Sequence, residues 1–134
     1  IRHIKPDREK ALRYVKEFDF SKWSDELRTF LGKGAETMIA LEAKEHKYSV
    51  DGHAKRLEII IENWDRILDI INEELPGADK IESLLSAIGA PKLPSEIGID
   101  DELIPMTFKS SKDIRDKYVL SRLAWDLGII DEII

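Results

Sequence analysis

Residues 53–75 read HAKRLEIIIENWDRILDIINEEL, and this stretch decides the fold. Leu57, Ile61, Trp64, Leu68, Ile71 and Leu75 recur at steps of four, three, four, three and four, the stripe of an α-helix. Ile60 and Ile67 widen that stripe, and Ile59 and Ile70 begin a second. A helix apolar over so much of its circumference packs against several neighbours at once. Isoleucine is a poor helix former, so burial, roughly 1.5–3 kcal/mol per side chain, has to outweigh propensity. The expectation is an all-α protein, an irregular multi-helix bundle around a long central helix at about residues 53–75.

Outward from that helix the chain is a run of shorter helices. Upstream, the pattern predicts a helix over residues 6–18 with Pro6 in its first turn. A second is capped by Ser21 or Ser24 and ended by Gly32, and a third covers residues 35–46. Tyr48 to Gly52 reads as a loop in which Ser49 or Asp51 caps the central helix. Downstream, Pro76-Gly77 breaks the chain, residues 79–88 form a helix, Gly89 takes its left-handed end and Pro91 stops it. One turn over residues 93–97 closes at Gly98, and Asp100 caps residues 101–109, with a bend or a short first segment at Pro105. Ser110 or Ser111 then caps a last helix with Ile114 and Tyr118 on one face, running to Gly128. The apolar pairs Ile129-Ile130 and Ile133-Ile134 are expected to dock or to meet a partner. No repeat and no alternating strand pattern interrupts this, so residues 1–134 are read as a single helical domain.

With 134 residues, 43% of them apolar, the chain has enough to bury a core without a staple. It has no cysteine, which excludes disulfides and thiolate metal sites and suggests a reducing, cytoplasmic setting. The net charge of −6 argues against a nonspecific nucleic-acid binder, and a DNA-binding helix pair is disfavoured for the same reason. The longest apolar run, Ile59 to Ile61, is far too short for a membrane span, and no secretory leader is recognisable at Ile1. Charged residues make up 36% of the chain, with no glutamine, a thermophile-like bias.

No Gly-rich phosphate loop, dinucleotide fingerprint or nucleophile elbow is present. His46, Asp51 and His53 fall within eight residues and could be read as a two-histidine, one-carboxylate metal site. Their spacing matches no established metal pattern; the preferred reading is that His46 ends one helix and His53 begins the next, both exposed. His3 stands alone near the terminus. The carboxylate pairs Glu73-Glu74, Asp100-Asp101 and Asp131-Glu132 sit at helix ends, where capping and the helix dipole explain them. Lys109, Lys112, Arg115 and Lys117 could hold a phosphate, but a solvated helix face balanced by Asp113 and Asp116 is preferred. Trp64 belongs to the core stripe, while Trp23 and Trp125 could line a pocket or an interface.

Four segments carry a resemblance when taken in order: Arg56 to Trp64; Gly89-Ala90-Pro91; Glu96-Ile97-Gly98-Ile99-Asp100; and Ile114-Arg115-Asp116-Lys117-Tyr118 leading into Leu120. Their order and spacing resemble the C-terminal helical domain of glycerol-1-phosphate dehydrogenases, bacterial branch, in the iron-containing alcohol dehydrogenase superfamily. The resemblance spans roughly residues 54–130. It implies NAD(P)H-dependent reduction of dihydroxyacetone phosphate, with nucleotide on a Rossmann-like domain and a divalent metal held in the helical domain by an aspartate and two histidines. The second of those histidines belongs to a His-Gly segment. Here His3 is followed by Ile4, and His53 is preceded rather than followed by glycine, so no catalytic, cofactor-binding or metal residue is carried over. The expectation is a dehydrogenase-related domain that binds neither NAD(P) nor metal by itself and works beside a separate nucleotide-binding chain. The alternative is a stand-alone interaction module or homo-oligomer.

Overall fold

The computed structural model describes residues 1–133, and within them every regular element is helical. The α-helices are α1 (Arg8–Glu17), α2 (Phe20–Leu31), α3 (Ala35–Glu45), α4 (Val50–Glu62), α5 (Trp64–Glu74), α6 (Ala78–Ala87), α7 (Ile104–Ser111) and α8 (Leu120–Asp126). Short 3₁₀ turns occupy Gly32–Gly34, Pro94–Ile97 and Asp101–Leu103. None of these helices is long and apolar enough to cross a membrane.

The irregular bundle stands, but the single central helix divides in two. Its stripe continues across Asn63, where the backbone leaves helical geometry at φ −109° and ψ 15°. The Asn63 side-chain amide donates to the Ile59 carbonyl at 2.8 Å, the acceptor that the Asn63 backbone N–H also uses at 3.1 Å. A side chain competing for the helix's own acceptor, next to three consecutive isoleucines, is enough to break it. Trp64 restarts the helix and stays buried, with its indole N–H donating to the Ile4 carbonyl at 3.2 Å.

The caps fall where an aspartate was available. Asp7 and Asp19 each accept from the backbone N–H three residues on, at 3.0 Å. Asp19 therefore displaces Ser21 and Ser24 as the start of α2, and Ser24 instead donates to the Phe20 carbonyl at 2.7 Å. Ser49 caps α4 as expected. Pro105 lies in the first turn of α7, after the short 3₁₀ turn.

The larger correction concerns residues 112–119, which are not helical. The Ser110 and Ser111 hydroxyls turn back onto the carbonyls of Thr107 and Phe108, at 3.1 and 2.6 Å, and α7 ends there. The next helix begins only at Leu120.

Packing is concentrated at one end of the molecule. α1 lies on α4, α2 on α3, and α8 on both α4 and α7. The main core gathers Ala11, Val15, Leu57, Ile60, Trp64 and the segment from Leu123 to Ile130. A second cluster of Trp23, Leu27, Ala35 and Met38 joins it through Phe18 and Tyr48, whose rings stack at 5.0 Å. Residues 121–130 are all buried, including Arg122 and Asp126. Gly128, at φ 68°, closes α8 while α1 presses on it: a Cβ there would lie 3.0 Å from Tyr14 Cβ and 3.2 Å from Ala11 Cα. Ile129 and Ile130 dock in the core as anticipated; Ile134 lies outside the described residues.

The other end is an arm. α5 past Trp64, α6 and residues 88–103 contain no buried side chain. The Arg2 guanidinium ties the base of this arm to the body, donating to the Leu75 carbonyl at 2.7 Å and to the Asn72 side chain at 3.0 Å.

Candidate functional site

The densest polar chemistry lies inside the body, around Asp113. This carboxylate is fully buried and accepts from four side chains. Trp23 Nε1 donates at 2.7 Å, the Tyr48 hydroxyl at 2.7 and 2.8 Å, Lys112 Nζ at 3.2 Å and Arg122 Nη2 at 2.6 Å. The same Arg122 Nη2 donates to Glu42 Oε2 at 2.7 Å, and Glu42 also takes Lys47 Nζ at 3.2 Å. α2, α3, the α3–α4 loop, the α7–α8 loop and α8 thus meet at two carboxylates.

A second knot sits one turn further along α8. Asp126 accepts from Arg56 Nη2 at 2.9 Å and from the Tyr118 hydroxyl at 2.8 Å. Its main-chain carbonyl lies 2.8 Å from His53 Nε2. A carbonyl can only accept, so that contact places a proton on Nε2, and the His53 ring stands edge-on to Trp125.

Burial sets the protonation states. It is the largest influence on Lys112, whose amine is lowered to about 8 although Asp113 pulls the other way. The ammonium stands 3.6 Å over the Trp23 ring, a partly compensating cation–π contact. Burial also raises the Glu42 carboxyl against the attraction of Arg122, and raises the phenols of Tyr48 and Tyr118, each beside an aspartate. Burial lowers Arg122 as well, but Tyr48, Asp113 and Glu42 outweigh it and the guanidinium is raised.

Beside this network runs a cleft of about 410 Å³ between α1, α2 and the C-terminal turn. Tyr14, Phe18, Trp23 and Trp125 form its walls, and Lys109 pairs with Asp131 at its mouth. Asp131 is held low: burial raises it, but hydrogen bonds from Lys109 and Tyr14 prevail. The network can clamp helices. It offers the cleft no poised acid or nucleophile, because Asp113 and the Lys112 amine are already engaged with each other and with neighbouring groups.

The sequence-level candidates scatter. His46 is exposed at the left-handed end of α3, at φ 51°, and Asp51 is exposed on α4. His53 is fully buried, which corrects the expectation that both histidines face solvent: it opens a helix whose first turn faces α8. Among the described residues no group of three or more His, Asp or Glu side chains is placed to hold a metal ion. The lysine and arginine cluster also divides. Lys112 is 2% exposed and Asp113 0%, whereas Arg115 and Lys117 stay outside, so a uniform solvated face is wrong there. The three carboxylate pairs are exposed: Glu73-Glu74 ends α5 and Asp100-Asp101 opens a 3₁₀ turn, but Asp131-Glu132 lies in a turn past α8, where Asp131 accepts from the Tyr14 hydroxyl, and not at a helix end.

The residues that matter most in the structure, Glu42, Asp113, Arg122 and Asp126, were not singled out from sequence. The signal available was Arg122 and Asp126, four apart inside the apolar run from Leu120 to Ile130. Opposite charges in a segment otherwise fit for the core must find buried partners. No protein-family model, curated protein or solved structure matches this chain.

Proposed function

We propose that this chain is the helical, non-catalytic part of a glycerol-1-phosphate dehydrogenase-type enzyme, meeting a nucleotide-binding body through residues 93–103. The observation that carries this reading is the state of the Glu96 to Asp100 segment, one of the four that bear the resemblance. Its backbone is fixed: Gly98 N–H donates to Ser95 O at 3.1 Å, Ile99 N–H to Pro94 O at 3.0 Å, and Lys92 N–H to Glu96 Oε2 at 2.9 Å. Its apolar side chains nevertheless face outward, with Leu93, Ile97, Ile99 and Leu103 all exposed. A held backbone presenting apolar side chains to water has the form of a docking epitope.

In this role the charge network is mechanical. It fixes α8 and the α7–α8 loop against α2, α3 and α4. In this reading the other body holds the nucleotide, and this chain supplies none of the metal's ligands.

Reconstitution tests this. The chain is mixed with a nucleotide-binding chain of the same enzyme class, and NADPH oxidation is followed with dihydroxyacetone phosphate. Turnover that needs both chains, and is lost with Ile97→Glu, is expected. Tight binding of NADPH or Zn²⁺ to this chain alone, measured by calorimetry, would contradict the proposal, as would absence of turnover in every pairing.

The alternative, a stand-alone oligomerisation module, is favoured by a different observation: α6 has an apolar stripe and no buried residue.

A further inference from the structure

The segment at residues 93–103 has a charge as well as an apolar face. Residues 65–103 carry ten carboxylates and three basic side chains, a net of −7, whereas the rest of the chain carries 17 and 18, a net of +1. The whole negative balance of the chain therefore sits on the arm. α6 takes little part in it, because Asp79 is followed by Lys80 and Glu82 pairs with Lys92 at 3.3 Å. That pair is the arm's only ion pair among the described residues.

The surplus reaches the epitope as Asp100, Asp101 and Glu102, which follow Ile97 and Ile99 and precede Leu103. All three are exposed, and none meets a cation within the chain among the described residues. Capping does not account for them. Asp100 occupies the capping position of the 3₁₀ turn, yet its side chain makes no capping bond, and no side chain caps α7. The N-terminal end of α7 supplies roughly half a positive charge, against three carboxylates. Glu96, by contrast, is used locally, as the acceptor for the Lys92 N–H at 2.9 Å.

A molecule that covers Leu93, Ile97, Ile99 and Leu103 must lie against these carboxylates and strip water from them. A neutral apolar face would leave them without partners, which is costly. Nucleic acid, an anionic lipid surface and the same segment of a second copy would each add negative charge. A protein face with guanidinium or ammonium groups around apolar pockets replaces the lost hydrogen bonds with charge-assisted ones.

We propose that the partner of residues 93–103 is a protein face of that kind, basic and apolar, on which Asp100, Asp101 and Glu102 meet arginine or lysine. This rests on residues 93–103 being the docking epitope and adds the partner's chemistry to that reading.

The probe is a fluorescent amphipathic helix of leucine and lysine, and its control is the leucine–glutamate helix of the same pattern. Binding to the full chain is followed by anisotropy at about 0.01 M and about 0.15 M salt, where charges are screened over about 30 Å and about 8 Å. The lysine helix should bind at least about tenfold more tightly than the glutamate helix, and should weaken as salt is added. Asp100→Asn, Asp101→Asn and Glu102→Gln together should weaken it roughly tenfold and flatten the salt dependence. Ile97→Ser should weaken it with the salt dependence kept. Neutralising Glu9, Glu17 and Asp51 in the same way, all exposed on the body, should change binding by less than about twofold. Equal binding by the epitope-neutralised and body-neutralised chains overturns the proposal. So does a lysine helix that fails to bind, or a dimer of this chain that Ile97→Ser abolishes. A lysine helix held through the three carboxylates, with no turnover in any reconstitution, supports the proposal and removes only the dehydrogenase reading.

Discussion

Arg122 and Asp113 meet at 2.6 Å with both side chains buried. Arg8 and Glu58 meet at the same 2.6 Å on the surface, roughly half exposed. Equal distances do not imply equal energies. Removing one partner of a buried pair strands the other charge, at about 3–5 kcal/mol, whereas an exposed pair contributes about 1 kcal/mol or less. We predict that Asp113→Ala lowers unfolding free energy by roughly 3–5 kcal/mol and Arg8→Ala by under about 1 kcal/mol. Urea denaturation of both variants is the check, and equal losses would show that the interior network is not a clamp.

Trp23 separates packing from polar clamping. Trp23→Phe keeps an aromatic ring under the Lys112 ammonium but deletes the 2.7 Å donor to Asp113. A hydrogen bond to a buried charge contributes about 1.5–3 kcal/mol, so a loss in that range is expected. A loss of only a few tenths would mean that Asp113 is adequately served without it.

Alkaline pH should first strengthen the fold. The Lys112 amine titrates at about 8 when folded, because it is buried, and at its ordinary 10.5 when unfolded. Between those values the unfolded chain binds more protons, so stability rises with pH. Above pH 10 the raised phenols of Tyr14, Tyr48 and Tyr118 act the other way, since unfolded tyrosines ionise there and folded ones do not. Unfolding free energy should climb by roughly 2–3 kcal/mol from pH 8 to a maximum near pH 10, and then fall. Lys112→Met should remove the climb. A wild-type profile that declines steadily above pH 8 would exclude a lysine so perturbed.

Gly128 is irreplaceable for two reasons at once. Its φ of 68° is costly for any L side chain, and a Cβ would press on Tyr14 and Ala11. Gly128→Ala should lower stability by roughly 2–3 kcal/mol, whereas Gly89→Ala, at φ 65° but in open space, should cost about 1 kcal/mol. Thermal melts of the two variants compare them directly.

The helices were legible because apolar spacing and breakers act locally. The stripe from Leu57 to Leu75, the stops at Gly32 and Gly89, and the short segment before Pro105 each depend on a few neighbouring residues. The break at Asn63 was hidden, since one amide competing for one carbonyl leaves the periodicity intact. The Asp113 network was hidden for a different reason. Its donors Trp23 and Tyr48 lie 90 and 65 residues away in sequence, and only the tertiary fold makes a solvated-looking Lys112-Asp113 pair into a buried one. The arm misled in the opposite sense: Ile70, Ile81 and Leu84 have core-like spacing, yet they stay exposed among the described residues.

The central proposal is that a charge-clamped body carries an arm whose exposed apolar side chains are covered by another molecule. Hydrogen exchange followed by mass spectrometry across a dilution series tests it most directly. Residues 121–130 should be strongly protected at every concentration, while protection of residues 78–88 should rise with protein concentration or with added partner. Protection of residues 78–88 equal to that of residues 121–130 at the greatest dilution would contradict it.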